Sequence, residues 1–427
     1  MVIYTVRPGD SVYSISKRYG VSAGDIISSN ALDSDGSLVV GQALVIPVES
    51  VSHTVEAGES LSKIAKMYET TAEAIQMANP QIPDANFIRA GQVLTIPVTL
   101  EMLGEAEVNG YALPTIGDST LKRTLPGLTY LSVFSYEVRP DGSLTSVDDT
   151  GIVAAARRQN VAPIMSVTNI RPEGGFSGEI AHAVLSDPEV GNILLDNIAG
   201  ALGGKDKYYG LNIDFEYIYP QDRENYNAFL KRAVEELHPL GYKVFTSLAP
   251  KISAEQPGLL YQAHDYKAHG SLADRVILMT YEWGYTYGPA RPVAPLNLVE
   301  QVLKYAVTAI PPQKILMGIP NYGYDWTLPF VRGTAARSLS NNGAVELAKK
   351  VGARIMFDEE AQSPHFNYYS QDGKQHKVWF EDARSIRAKL ELAHRYGLAG
   401  VSYWTVNTFF PQNWAVLNST FKVKKLL

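Results

Sequence analysis

A chain of 427 residues with 45% hydrophobic and 19% charged side chains has ample material for a soluble globular core. Its formal charge of −6 speaks against nucleic-acid binding, which calls for a basic face. The absence of cysteine excludes disulfides and thiolate chemistry. Among the eight histidines, His264 and His269 lie five apart and suit one helix face poorly, so neither a metal nor another cofactor is expected.

The opening MVIYTVRPGDSVYSI has no basic and apolar regions of a secretory signal, so no leader is expected. No run approaches the ~18 apolar residues of a membrane helix, so no membrane insertion is expected either. A repeat comes first: YTVRPGDSVYSISKRYGVSAGDIISSN from Tyr4 returns as HTVEAGESLSKIAKMYETTAEAIQMAN from His53. Val6/Val55, Gly9/Gly58, Ser11/Ser60, Ile15/Ile64, Ile26/Ile75 and Asn30/Asn79 align without a gap. Each copy closes on a related strand, GQALVIP from Gly41 and GQVLTIP from Gly91. Each unit therefore reads strand, helix, helix, strand, with Ser11 or Ser60 capping the first helix and Pro47 or Pro97 ending the last strand. The units are placed at residues 2–48 and 51–98. They resemble LysM modules, and that resemblance implies binding of glycans that contain N-acetylglucosamine, such as peptidoglycan or chitin.

After a short connector near VTLEMLGEAE the rhythm changes, and residues 104–427 are expected to form one unit. β-Branched runs alternate with helical stretches such as DRENYNAFLKRAVEELH, the pattern of a parallel sheet. Eight such runs are EVNGYAL, LTYLSVFSYEV, APIMSVTN, YGLNIDFEYI, KVFTSLAP, DRVILMTYEW, ILMGIPNYGY and AGVSYWTVN. The predicted fold class is α/β: a (β/α)8 TIM barrel with an insertion at about 327–380, before the last helix and strand. A doubly wound sheet is disfavoured, because no glycine-rich phosphate loop follows the first strand. The tail FKVKKLL is expected to be solvated.

Barrel chemistry sits at the C-terminal ends of the strands, and these ends are rich in acids and aromatics: Tyr136, Asn169, Glu216, Tyr281, Glu282, Tyr322 and Trp404. In YYGLNIDFEYI, period-two alternation turns Asn212, Asp214 and Glu216 to one face, with the two acids about 6–7 Å apart. Burying two carboxylates in an apolar strand costs several kcal/mol unless compensated, which points to function.

Here a second resemblance is specific. YGLNIDFE resembles the fourth-strand DxxDxDxE signature of family 18 glycoside hydrolases, the chitinase-like family. MTYE from Met279, GIPNYG from Gly318 and the YW ending at Trp404 resemble three further motifs of that family, in the right order. With the LysM-like units, the whole is similar to the cortex-lytic N-acetylglucosaminidases of endospore-forming bacteria. The resemblance implies retaining, substrate-assisted hydrolysis, in which the sugar's own acetamido oxygen is the nucleophile. Glu216 would then be the general acid and base, Asp214 would orient the acetamide, and Tyr281 would hydrogen-bond its carbonyl. Trp404 would floor the sugar, and Met279, Glu282, Tyr217, Asn169, Tyr111, Tyr322 and Asn212 complete the expected substrate contacts. A neighbouring charge and partial burial should raise the pKa of Glu216. Tyr209 and Asn212 stand where the family carries acids, so any proton relay through a second buried carboxylate is lost; Glu282 stands where Asp is usual.

The mechanism needs a free acetamido group, which muramic lactams of spore cortex lack. Cleavage on the reducing side of N-acetylglucosamine, in cortex peptidoglycan during germination, is the expectation. The corresponding place is the coat or cortex region of the endospore. Peptidoglycan strands are the expected partner of both LysM pair and barrel, other coat or cortex-lytic proteins are further candidates, and a monomer is expected. A chitin-oligosaccharide hydrolase and a non-catalytic glycan-binding coat protein are the competing readings. Phe366 to Tyr369 and Trp379 would be the insertion's own core ahead of extra sugar subsites.

Overall fold

The computed structural model describes residues 1–68, 70–84, 87–98, 102–204 and 207–427; of the expected connector, 99–101 fall outside them. The two repeats fold alike. In the first, strands Val2–Thr5 and Ala43–Ile46 pair antiparallel around helices Val12–Tyr19 and Ala23–Asn30. In the second, strands Ser50–Thr54 and Val93–Pro97 enclose helices Leu61–Met67 and Ala72–Ala78. Ser11 and Ser60 each cap the first helix through their side chains, as expected. The repeated asparagine has a structural reason. Asn30 Nδ2 donates to Ile26 and Val45 carbonyls while Oδ1 accepts from Val45 N–H, and Asn79 does the same with Ile75 and Thr95. One buried amide thus ties the second helix to the second strand in each copy. The pair shares a single apolar core that includes Ile15, Ile64, Ile26, Ile75, Ile46 and Ile96.

The barrel strands are β1 (Glu105–Ala112), β2 (Tyr130–Glu137), β3 (Ala162–Thr168), β4 (Gly210–Asp214), β5 (Lys243–Leu248), β6 (Arg275–Leu278), β7 (Ile315–Pro320) and β8 (Gly400–Trp404). They are hydrogen-bonded in chain order, all parallel, and β8 closes on β1 with Gly400 opposite Glu107. Tyr111, Tyr130, Ile164, Phe245, Ile277 and Leu316 fill the lumen, while Leu211, Ile213 and their counterparts meet the helices outside. At the N-terminal end, Glu107 takes a two-pronged bond from Arg275 (2.6 and 2.7 Å) and a third from Tyr130. The tail departs from expectation: Lys422–Val423 pairs with β1, and Lys425 donates to the carbonyls of Leu125 and Leu128, so the chain end straps the barrel base.

The insertion is a five-stranded antiparallel sheet with helix Asn341–Val351 on it. Its first strand in chain order, Gly323–Leu328, starts before Trp326, a few residues earlier than the sequence suggests. Phe366 is fully buried in the insertion's core; Trp379 is buried in a separate cluster with Tyr324 and Trp326, against which Tyr281 and Tyr322 pack; Tyr369 stands out in solvent.

The first repeat is seated on the barrel. Gln412 donates to Asn30 Oδ1 (3.0 Å) and the Ala43 carbonyl (2.8 Å), Ile355 N–H donates to the Val40 carbonyl, and Val39 joins the insertion's core. Gly41 makes the closest approach: with φ +86°, a Cβ there would lie 1.8 Å from the Ile355 carbonyl oxygen. Its repeat partner Gly91 has φ +83°, and among the described residues nothing lies within 4 Å of a Cβ there. Gly91→Ala should therefore cost only the left-handed strain, about 1–2 kcal/mol. Gly41→Ala should cost clearly more and expose the first repeat to protease. Equal urea midpoints for the two variants would refute this seating.

Candidate active site

β4 delivers Asp214, and Glu216 follows two residues on, past the strand's end, with Phe215 between them packed outward beside Leu211 and Ile213. The ladder of β4 with β3 ends at Asp214 opposite Thr168, and its ladder with β5 ends at Ile213 opposite Thr246. Glu216 lies beyond the strand, and Tyr217 turns the chain away through φ +54°, a conformation rare for a residue with a side chain. What holds Glu216 is Asn169 at the end of β3, which accepts from Glu216 N–H (2.9 Å) and donates to its carbonyl (2.7 Å). Asn169 also donates to the Ser177 carbonyl and is fully buried, so it supports the acid from behind instead of lining the cleft for a sugar.

Asp214 is buried, and its Oδ1 makes no hydrogen bond among the described residues. Burial lifts its carboxyl well above the ordinary range, against a smaller lowering by Ser247. Glu216 is half-buried at the mouth; burial first, then the charges of Asp214 and Glu282, raise its pKa well above normal. A carboxyl raised in this way keeps its proton to higher pH than an ordinary glutamate, which is what an acid catalyst needs. Below the pair, Asn212 is consumed by the barrel: its Nδ2 donates to Tyr111 and Ser247 hydroxyls (both 3.1 Å), and Tyr111 meets Ser247 at 2.8 Å. The Asn212 and Tyr111 side chains therefore plug the lumen beneath Asp214 and leave the sugar face to others.

Thr280 Oγ1 donates to the Gly318 carbonyl (2.7 Å), pinning the end of β6 to β7 and placing Tyr281 at the mouth. Burial, then the neighbouring Tyr111 and Asp214, push the Tyr281 hydroxyl upward, so it stays a proton donor. Glu282, in the left-handed region at φ +68°, accepts from the hydroxyls of Tyr322 and Tyr324. Burial raises its carboxyl, partly offset by these two donors. Met279 is buried behind the mouth. Trp404 ends β8, partly open to solvent, with its indole edge-on to Tyr111 (5.3 Å) and Phe134 (4.7 Å). The peptide bonds that follow Phe134 and Trp404 are cis. Beside Trp404 a pocket of about 260 Å³ is lined by Asn321, Tyr322, Tyr324, Ser338, Thr405 and Thr408, among others. Tyr217 is 42% exposed on the opposite rim of the acid.

Tyr136 is absent from the mouth. The register of β2 shifts between Val133 and Tyr136, which turns Tyr136 outward to bond Asp149, while Phe134, on the lumen face with Tyr130, meets Trp404. A bulge of this kind leaves no mark in an apolar run. Among the described residues no group of three His, Asp or Glu could hold a metal ion, and no helix is long and apolar enough to cross a membrane.

A closed eight-stranded parallel barrel with a buried Asp and a raised-pKa Glu at the end of its fourth strand defines a class, and comparison with known proteins agrees. Residues 127–408 match glycosyl hydrolases family 18, and residues 4–47 and 53–97 match the LysM domain. The chain belongs to that hydrolase family and is a glycoside hydrolase carrying two LysM units.

Its particular likeness runs end to end. It is 40% identical over 432 residues to a cortical fragment-lytic enzyme of Bacillus subtilis (strain 168), covering 100% of this chain and 99% of that one. The crystal structure of the Bacillus megaterium QM B1551 spore cortex-lytic enzyme SleL superposes with a TM-score of 0.88 at 38% identity, covering 100% and 99% of the two chains. A chitinase from Chromobacterium violaceum matches over 74% of this chain and 98% of its own, with a TM-score of 0.68 at 28% identity.

Proposed function

We propose that the chain is a retaining N-acetylglucosaminidase acting on spore cortex peptidoglycan. The observation that carries this reading is the buried Asp214, whose Oδ1 has no partner among the described residues, two residues before Glu216, in a chain similar over its whole length to cortical fragment-lytic enzymes. The acetamido carbonyl oxygen of the bound sugar attacks C1 as Glu216 gives its proton to the departing glycosidic oxygen. Asp214 Oδ1 accepts the acetamide N–H and stabilises the positive oxazolinium ring. Tyr281 donates to the acetamido oxygen and holds it under C1. Water then opens the ring at C1, delivering its proton to Glu216, and two inversions leave the configuration retained. Trp404 offers an apolar face to the sugar, and the pocket beside it has room for the next one along the strand.

The relatives' names motivate the substrate, and chemistry motivates the bond: a muramic lactam has no free acetamide to attack. The LysM pair would hold the same strands, placing the enzyme at the cortex of the spore. Digestion of purified cortex followed by borohydride reduction should give N-acetylglucosaminitol as the new end. Muramitol would keep the hydrolase and overturn the assigned bond. The likeness to a chitinase structure motivates one competitor, a chitin-oligosaccharide hydrolase, which equal turnover of chitin oligomers and cortex fragments would favour.

A further inference from the structure

The backbone that carries Glu216 has left the sheet, yet it is held at three points. Asn169 grips Glu216 itself from the β3 side. The Phe215 ring is fully buried against Tyr226 and Phe229 on the outer face. The Phe215 carbonyl, between the two acids, meets His264 Nε2 at 2.9 Å. The ring of His264 is buried and spent at both nitrogens, because Nδ1 accepts from the Ala249 backbone N–H at 2.8 Å. A nitrogen that accepts from an N–H carries no proton, so the tautomer is fixed: the proton sits on Nε2 and is donated to Phe215.

We propose that neutral His264 is a positioning residue for the general acid, clamping the Phe215 carbonyl so that Glu216 stays beside Asp214. This rests on the reading of Glu216 as the acid. The loop from β5 to helix Tyr266–Leu272 is organised around this ring. Lys251 Nζ donates to the carbonyls of His264 and Ala254 (both 3.0 Å), and Tyr266 OH accepts from Lys251 N–H and donates to the Ala249 carbonyl. Of what faces the imidazole, the Phe215 carbonyl favours a second proton, and burial outweighs it; the other groups disfavour that proton or stand further off. They are the Lys251 ammonium, the Tyr226 ring at 6.2 Å and the buried His269, with the Arg223–Asp265 pair beyond. Burial, with Lys251 adding to it, holds His264 down at about 4. A proton on Nδ1 would face the Ala249 N–H and break the bond that fixes the ring's orientation.

The test uses the full chain with cortex fragments as substrate. His264→Leu should lower kcat about 10–100-fold, the cost of a misplaced catalytic group, with KM nearly unchanged. His264→Gln keeps one donor and one acceptor on the same reach and should recover most of that loss. Nitrogen-detected NMR on histidine-labelled native protein should show His264 as the Nε2–H tautomer, unchanged from neutral pH to about pH 5. A titration near the ordinary histidine value, a loss confined to KM, or a Gln variant as poor as Leu would each overturn the proposal. Should Glu216→Gln stay active in the same assay, the reading of Glu216 fails instead, and the NMR tautomer still reports on the clamp.

Discussion

Glu216→Gln should abolish hydrolysis and at the same time make the protein harder to unfold at neutral pH. The catalytic loss is that of a general acid, about 10²–10⁴-fold or more in kcat. The gain in stability follows from the direction of the pKa shifts. Glu216 and Asp214 both titrate above their ordinary values in the folded protein, chiefly through burial. A carboxyl raised in this way favours the fold below its unfolded value near pH 4, and that favour is lost as pH rises toward the folded value. A tenfold change in proton affinity is worth about 1.4 kcal/mol, and the opening of Glu216 to the cleft reduces the effect, so a gain on the order of 1–2 kcal/mol is expected at pH 7. At about pH 4 native and variant should melt together. A variant that melts lower than native at pH 7 would mean that Glu216 stabilises the fold and is not a strained catalytic acid.

The second large effect concerns the seat of the first LysM unit. Lys389 (0% exposed) donates to Glu381 (1% exposed) at 2.8 Å, and Glu381 N–H is in turn held by Asn341. Two residues on, Ala383 N–H donates to Gln412 Oε1, the side chain whose Nε2 reaches Asn30 in the LysM unit. Lys389→Met leaves the buried Glu381 without its cation, with only the Ser385 hydroxyl to bond it and the Asp382 charge beside it, and should cost about 3–5 kcal/mol. The cost should shrink as pH falls, because Glu381, raised chiefly by burial and no longer lowered by Lys389, takes up a proton more readily. The double variant Lys389→Met, Glu381→Leu should restore most of the stability, since an apolar pair of that volume suits the site. A single variant as stable as native in urea would show the pair to be exposed or dispensable.

The parts of this molecule that sequence conveys are those set by local rules. Asn30 and Asn79 recur because each repeat needs the same buried amide, and apolar runs of eight parallel strands betray a barrel. Asp214 and Glu216 are legible as chemistry because acids in an apolar run need a reason. Contacts made across the fold leave no such trace. Period-two alternation continues through Phe215 and Glu216 on paper, but the strand stops at Asp214, because His264, 49 residues on, takes the Phe215 carbonyl. Asn169 looks like a sugar contact until its amide is found on Glu216, and a bulge in β2 turns Tyr136 outward. The bent tail, the seat of the first LysM unit and the early start of the insertion depend likewise on partners far along the chain.

Both ends of the chain finish their contacts on each other. β1 gains its second neighbour only when β8 arrives, its base is strapped by Lys422–Val423, and the first LysM unit sits on side chains as late as Gln412. During synthesis from the N-terminus, β1 therefore waits with one open edge while some 290 residues are added, the interval in which an unpaired strand recruits wrong partners. Glu105 and Glu107 lie on that edge; Arg275, Lys422 and Lys424 neutralise them later. Charge on an exposed strand edge disfavours wrong pairing, so the acids that fasten the finished barrel are of the kind that would keep that edge from pairing while it is open.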